Sequence, residues 1–189
     1  MRYLFCLIIA QFLCGATSHA GVWPGQKPKL VVVIVIDQFR ADYLSRFQDK
    51  MSGRGFKALM STGAYFPYGE YDVLQSMTGP GHATVLTGAY PYQMGVPINE
   101  WYDQKSKKSV YCAEDSESKT VGLEKINGAE KTRDGLGTSS KNLIGTTVGD
   151  ELKNSDSPSK VVSLALKDRA SILMGGHRAD LAIWFDSES

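Results

Sequence analysis

A continuous apolar run near the start of the chain constrains its fold most strongly. Residues 29–37, KLVVVIVID, are almost all β-branched up to the closing aspartate, and β-branched residues favour strands. A run without polar alternation is typical of a parallel strand that is buried on both faces. Residues 160–168, KVVSLALKD, and 180–186, DLAIWFD, have the same character and predict two further strands of this kind.

Helical signals alternate with these predicted strands. Gly63 is placed to end one helix, Pro80 and Gly81 fit the opening turn of another, and Thr146 or Thr147 is placed to cap a third. The segments concerned are residues 41–47, 55–63, 82–87 and 145–154. The alternation predicts an α/β fold, a parallel sheet flanked by helices on both faces.

The first 20 residues have the layout of a secretory signal peptide. A positively charged start is followed by an apolar stretch and by Ser18-His19-Ala20, a small-x-small ending. The apolar stretch is shorter than the about 20 residues needed to span a bilayer. We therefore expect cleavage after Ala20, export to the periplasm or medium of a bacterium, and no stable membrane anchor.

The remainder, residues 21–189, is expected to form part of one catalytic domain. Cleavage would remove only Arg2 from the charged residues and leave 20 basic against 20 acidic side chains, a balance that argues against a nucleic-acid partner. Residues 104–140 are charged and rich in Ser, Lys and Gly, which predicts a surface excursion with one short strand. Residues 64–72, AYFPYGEYD, predict an irregular or edge strand because of Pro67.

Two residues with chemical potential follow structural signals. Asp37 ends the first predicted strand, where open parallel sheets bind ligands, and its carboxylate suits a divalent metal ion or the cap of a following helix. Thr78 precedes Gly79-Pro80-Gly81, where backbone N–H groups could approach an anion at a helix start. Thr78 is therefore either a nucleophile activated by a metal or base or an ordinary helix cap.

Three stretches together resemble a known group. VVVIVIDQFRADYL, MTGPGHATVLTGAYPYQMGVPINEWYD and VVSLALKDRASILMGGHRADLAIWFD are similar in order and spacing to the alkaline phosphatase superfamily. The resemblance is to its type I phosphodiesterase/nucleotide pyrophosphatase-like members, and specifically to bacterial phosphate-irrepressible zinc alkaline phosphatases. Sulfatases share the architecture but need a C/S-x-P-x-R motif, which MTGPGH does not provide.

The resemblance implies a role for each matching residue. Asp37 would ligate zinc, and Thr78 would be both zinc ligand and nucleophile through a phosphothreonine intermediate. Asn99 would hydrogen-bond a phosphate oxygen, and Lys167 and Arg169 would hold the others. These side chains and Gly79 form the expected substrate site.

The paired cations imply phosphate monoesters as substrates, because a monoester dianion carries more charge than a diester. A phosphodiesterase of the same superfamily is the alternative. His82 and His177 are not expected to bind metal, His82 supporting the turn and His177 lying near the phosphate-binding cations.

The resemblance also implies residues that this sequence does not contain. The group holds a pair of zinc ions with further Asp and His side chains from a longer C-terminal portion. Asp37 and Thr78 alone cannot complete such a site. We therefore expect a fold that is incomplete at its C-terminus, and a chain that is weakly active, inactive or a non-catalytic remnant.

Overall fold

The computed structural model describes residues 28–118 and 137–185. The chain divides into two compact units, residues 1–35 and residues 36–189. The predicted signal peptide lies outside the described residues. In the first unit only residues 28–35 are described; they form no strand, and Leu30 and Ile34 are more than 70% exposed.

The prediction of a buried strand over residues 29–37 is therefore wrong. An apolar run becomes a strand only where a neighbour accepts and donates its backbone hydrogen bonds, and no described strand pairs with this run. Residues 64–72 also form no strand in the described chain. Apolar composition is met here without the partner that a strand requires.

Five helices form in the described part of the chain. They are α1 (Tyr43–Arg46), α2 (Phe56–Thr62), α3 (Thr78–Thr87), α4 (Val148–Ser155) and α5 (Asp168–Gly175). The predicted ends are confirmed at Gly63, which follows α2, and at Thr147, which caps α4. Helix α3 begins two residues before the predicted Pro80 and ends at Gly88, whose left-handed backbone (φ 67°) favours glycine.

Three two-stranded sheets accompany the helices in residues 28–118 and 137–185. Strands β1 (Glu100–Asp103) and β2 (Lys108–Tyr111) are antiparallel, as are β3 (Glu114–Asp115) and β4 (Gly137–Thr138). Strands β5 (Val162–Ala165) and β6 (Leu181–Trp184) are parallel, with Val162 opposite Leu181. The expected surface excursion contains β2, β3 and β4, and also the fully buried Cys112 and Ala113.

Among the strands of the described ranges, only the β5–β6 pair has the parallel arrangement that the sequence predicts. Helix α5 connects the two strands and packs against both. Burial alternates along each strand, and the outward residues are 42% to 68% exposed: Val162, Leu164, Leu181 and Ile183. The prediction that these strands are buried on both faces is wrong, and the α/β fold with helices on both faces is only partly formed in the described residues.

A small apolar core holds the second unit together around α3. It is formed by Ala83, Met94, Val96, Cys112, Leu143 and Leu173, against which Ala89, Trp101 and Tyr111 pack. Residues of α3, of the β1–β2 hairpin and its exit, and of α5 therefore meet in one cluster. No helix in the described ranges is long and apolar enough to cross a membrane.

Candidate active site at the start of helix α3

Thr78 is the first residue of α3 and does not cap it. The cap position is occupied by Met77, which has an extended backbone and no capping side-chain bond. Instead, the Thr78 hydroxyl donates a hydrogen bond to Asp37 Oδ2 at 3.1 Å. Asp37 is not a cap either, because Asp42 occupies that position at α1. The two residues for which the sequence leaves a capping role open are thus bonded to each other.

Gly79 places the side chain of Asn99 beside the threonine. The Gly79 N–H donates to Asn99 Oδ1 at 2.7 Å. A Cβ on Gly79 would lie 2.9 Å from that same oxygen and 3.0 Å from Cys112 Sγ, so a larger residue would have to displace one of these side chains. In this structure the N–H is bonded to Asn99 Oδ1, whose amide nitrogen remains available as a donor; the role of Gly79 in binding substrate stays a prediction.

Lys167 brings a positive charge to the same carboxylate. Its Nζ lies 3.6 Å from Asp37 Oδ2, with side chains 46% and 35% exposed. An ion pair this exposed contributes little to stability. Its consequence is local: a single carboxylate oxygen faces both the hydroxyl of Thr78 and the ammonium of Lys167, where β5 has ended and α5 begins.

Arg169 is held by a tyrosine of the β1–β2 hairpin. Its Nη1 donates to the Tyr111 hydroxyl at 3.2 Å, and its guanidinium carbon lies 5.9 Å from the centre of the Tyr111 ring. The Tyr111 hydroxyl donates in turn to Asp168 Oδ1 at 2.7 Å. Burial raises the pKa of Tyr111 to about 12, so the hydroxyl keeps the proton that it donates.

Sequence reasoning missed Tyr111, because it lies in the segment predicted to be a surface excursion. The signal that could have found it is the pairing of EWYD with KSVY across the four polar residues 104–107. Two short runs with β-forming residues around such a polar loop are typical of a hairpin. The antiparallel register that sets Glu100 opposite Tyr111 follows from that hairpin.

The two histidines occupy different places. His82 is buried, and its Nδ1 lies 2.7 Å from the carbonyl oxygen of Thr78, which fits the expected support of the turn. His177 lies in the loop after α5, with Nδ1 3.1 Å from Ser140 Oγ.

Metal binding by these residues would be incomplete. Asp37 and Thr78 offer two oxygen donors, whereas zinc in proteins takes about four ligands. Within residues 28–118 and 137–185 no group of three or more His, Cys, Asp or Glu side chains could hold a metal ion. The described residues therefore fit a share of a zinc site and not a whole one.

Two proteins with a similar sequence are named alkaline phosphatases. Over 194 residues the chain is 38% identical to alkaline phosphatase PhoV of Synechococcus elongatus, covering 97% of this chain and 34% of that protein. It is also 38% identical to alkaline phosphatase PafA of Elizabethkingia meningoseptica, covering 98% of this chain and 32% of PafA. The chain thus spans about a third of the length of these relatives.

The fold agrees with the sequence comparison. The crystal structure of wild-type PafA superposes with a TM-score of 0.77 at 40% identity, covering 86% of this chain and 30% of PafA. The family model described as type I phosphodiesterase / nucleotide pyrophosphatase matches residues 31–188. The chain therefore belongs to the type I phosphodiesterase / nucleotide pyrophosphatase family.

Proposed function

We propose that this chain forms the nucleophile-bearing part of an exported phosphomonoester hydrolase in which Thr78 is transiently phosphorylated. One observation carries the proposal. Thr78 is the first residue of α3, and its hydroxyl is bonded to Asp37 at 3.1 Å instead of capping that helix. Membership of the family and the name alkaline phosphatase of the relatives support the same reaction class.

The reaction would consist of two displacements at phosphorus. Thr78 Oγ1 loses its proton and forms a bond to phosphorus while the bond to the leaving alcohol oxygen breaks and that oxygen takes up a proton. Water then attacks phosphorus, the bond to Thr78 Oγ1 breaks, Oγ1 regains a proton and inorganic phosphate leaves. Asp37 Oδ2 accepts the hydrogen bond of the attacking hydroxyl and so orients it.

Three side chains would bind the phosphoryl oxygens. Asn99, held by the Gly79 N–H, presents its amide nitrogen as a donor. Lys167 and Arg169 supply two positive charges, which suits the dianion of a monoester. The first turn of α3 contributes the favourable end of a helix dipole.

A carboxylate alone is a poor base for a threonine hydroxyl, so activation would need a cation. The resemblance to zinc alkaline phosphatases supports zinc as that cation, with Asp37 and Thr78 as two of its ligands. Since the described residues fit only part of such a site, we assign no step to zinc. The layout of residues 1–20 supports export to a bacterial periplasm or medium.

The proposal is tested by trapping the covalent intermediate. Two proteins are mixed with an aryl phosphate: the 189-residue chain, and the protein that the complete reading frame of its gene encodes (the full-length protein). Each reaction is quenched in acid, and the protein is digested and mapped by mass spectrometry. We expect phosphate on the peptide containing Thr78 and none after Thr78→Ala. Thr87→Ala is the matched control, because Thr87 lies at the other end of α3 and its hydroxyl bonds to Ala83 O. Unlabelled Thr78 in a protein that turns substrate over would refute the proposal.

A phosphodiesterase is the second candidate, because the matched family model carries that name. Replacing both Lys167 and Arg169 by alanine should reduce monoester kcat/KM by about 100-fold or more, since two charge-assisted contacts to a dianion are lost. Diester kcat/KM should fall much less. Equal losses on an aryl monoester and its matched diester would mean that the pair is structural, and the monoesterase assignment would be withdrawn. Lys160→Ala, at an exposed lysine paired with Asp180, is the control.

A further inference from the structure

The Tyr111 hydroxyl joins two side chains at the start of α5. It accepts a hydrogen bond from Arg169 Nη1 at 3.2 Å and donates one to Asp168 Oδ1 at 2.7 Å. A phenolic hydroxyl has one proton to donate and lone pairs to accept, so both bonds form together. The guanidinium is therefore bound through a neutral hydroxyl.

Another nitrogen of the Arg169 guanidinium, Nε, adds no hydrogen bond within residues 28–118 and 137–185 that would orient the group. Its Nε is buried and has no hydrogen-bond partner among the described residues. The Tyr111 ring lies 5.9 Å from the guanidinium carbon, a distance at which a ring attracts a cation. Hydroxyl and ring of one residue thus fix both the direction and the position of the guanidinium.

Tyr111 is itself rigidly placed. Its ring packs against the apolar core, and its backbone is paired with Glu100 in the β1–β2 hairpin. The next residue, Cys112, donates its N–H to the carbonyl oxygen of Asn99 at 2.9 Å. One hairpin therefore sets the position of Asn99 beside Thr78 and of the hydroxyl that holds Arg169.

We propose that Tyr111 is a positioning residue that orients the Arg169 guanidinium toward the phosphoryl oxygens of the substrate. The inference rests on the proposed function for the identity of that substrate. Since the pKa of Tyr111 is raised to about 12 by burial, the hydroxyl stays neutral and holds the guanidinium without adding a charge of its own, while the Asp168 carboxylate accepts the proton of that hydroxyl.

The first test measures orientation without any turnover. In protein labelled with ¹⁵N-arginine, a guanidinium held in place gives resolved, slowly exchanging Nη signals at low temperature, assigned through Arg169→Lys. We expect these signals for Arg169 in the wild-type chain and their averaging in Tyr111→Phe. Tyr102→Phe, on the adjacent strand and 60% exposed, should leave them unchanged. Arg169 signals that are the same in Tyr111→Phe would overturn the positioning role.

The second test measures the consequence for catalysis in the full-length protein. Tyr111→Phe should lower monoester kcat/KM about tenfold, as expected for one hydrogen bond to a charged group, and should lower diester kcat/KM less. Tyr111→Leu, which also removes the ring, should lower it further. In an Arg169→Ala background Tyr111→Phe should have no added effect.

Outcomes separate the two ideas. Full additivity of Tyr111→Phe with Arg169→Ala, at unchanged thermal stability, would overturn the inference while leaving the hydrolase proposal in place. Absence of any phosphate ester hydrolysis by the wild-type full-length protein would refute the proposed function. The arginine signals would then still decide whether Tyr111 holds Arg169.

Discussion

Two helices of this protein begin with a threonine close to an aspartate, and they use the pair differently. At α4, Thr147 is the cap: its Oγ1 accepts from the Asp150 N–H at 3.1 Å, and Asp150 Oδ2 accepts from the Thr147 N–H at 2.9 Å. Both residues are 1% exposed. At α3, Thr78 lies one position inside the helix, and its hydroxyl bonds to Asp37, 41 residues earlier in the chain.

The two helix starts differ in whether their polar groups find hydrogen-bond partners nearby in the chain or in distant segments. At α4 a capping box satisfies the first N–H groups locally, and Asp150 Oδ1 also accepts from the Arg178 N–H at 2.7 Å. Gly176 passes so close to this pair, with φ 78°, that a Cβ would collide with it. At α3 no side chain caps the helix, and the partners of Thr78 and Gly79 come from distant segments. Local satisfaction is typical of a structural role, and polar groups gathered from distant segments indicate a site.

The largest expected effect is on turnover after Thr78→Ala. Loss of a nucleophile should reduce kcat of the full-length protein by at least about 10³-fold. The free energy of unfolding should change by less than about 1 kcal/mol, because one hydrogen bond to a partly exposed carboxylate is lost and no cap is removed. Phosphatase assays and urea denaturation check both halves, and a large stability loss with normal turnover would make Thr78 structural like Thr147.

Asp150→Asn should have the largest effect on stability. The carboxylate accepts from Thr147 N–H, Thr147 Oγ1 and Arg178 N–H, and an amide can accept at only one of its two positions. We expect a loss of about 3 kcal/mol in the free energy of unfolding at pH 7, measured by urea denaturation. Asp49→Asn, whose side chain is 68% exposed, should change it by less than about 0.5 kcal/mol.

The same variant should change how stability depends on pH. Burial by itself would raise the pKa of Asp150, but hydrogen bonds from the backbone N–H groups of Thr147, Arg178 and His177 lower it overall. A lowered folded-state pKa stabilises the protein above the ordinary value of 3.8, and the stabilisation is lost as pH falls through the folded-state pKa. The difference between wild type and Asp150→Asn should therefore shrink below about pH 4; a constant difference would contradict the assignment.

The two helix starts also show what local sequence can predict. GTTVGDELKN predicts Thr146 or Thr147 as the cap, and the structure selects Thr147, whose capping box lies within four consecutive residues. The same local rule does not decide the role of Thr78, since its partner is 41 residues away and spacing does not reveal such contacts. The pairing of Asp37 and Thr78 entered through resemblance to a family.

Tertiary context explains the remaining differences. The apolar run at residues 29–37 predicted a strand, but pairing depends on a neighbour that no local pattern specifies. Composition placed Tyr111 and Cys112 in a surface excursion, although Cys112 is fully buried. The average polarity of this segment predicts an exposed loop because charged residues surround the hairpin. The alternation of residues along a strand would have indicated that Tyr111 and Cys112 contact the core.

The smallest expected effect is that of Thr147→Ala. Removing this cap should cost about 1–2 kcal/mol in the free energy of unfolding, because the Asp150 N–H loses its acceptor inside a buried site. Thr147→Ser keeps the hydroxyl and should restore most of the loss. Thr146→Ala is the matched control, since the neighbouring threonine is exposed and does not cap α4. Turnover per folded molecule should be unchanged in all three variants, in contrast to Thr78→Ala. If Thr147→Ala unfolded as readily as wild type while Thr78→Ala were strongly destabilised, the roles of the two threonines would be exchanged, and the start of α3 would be a structural cap.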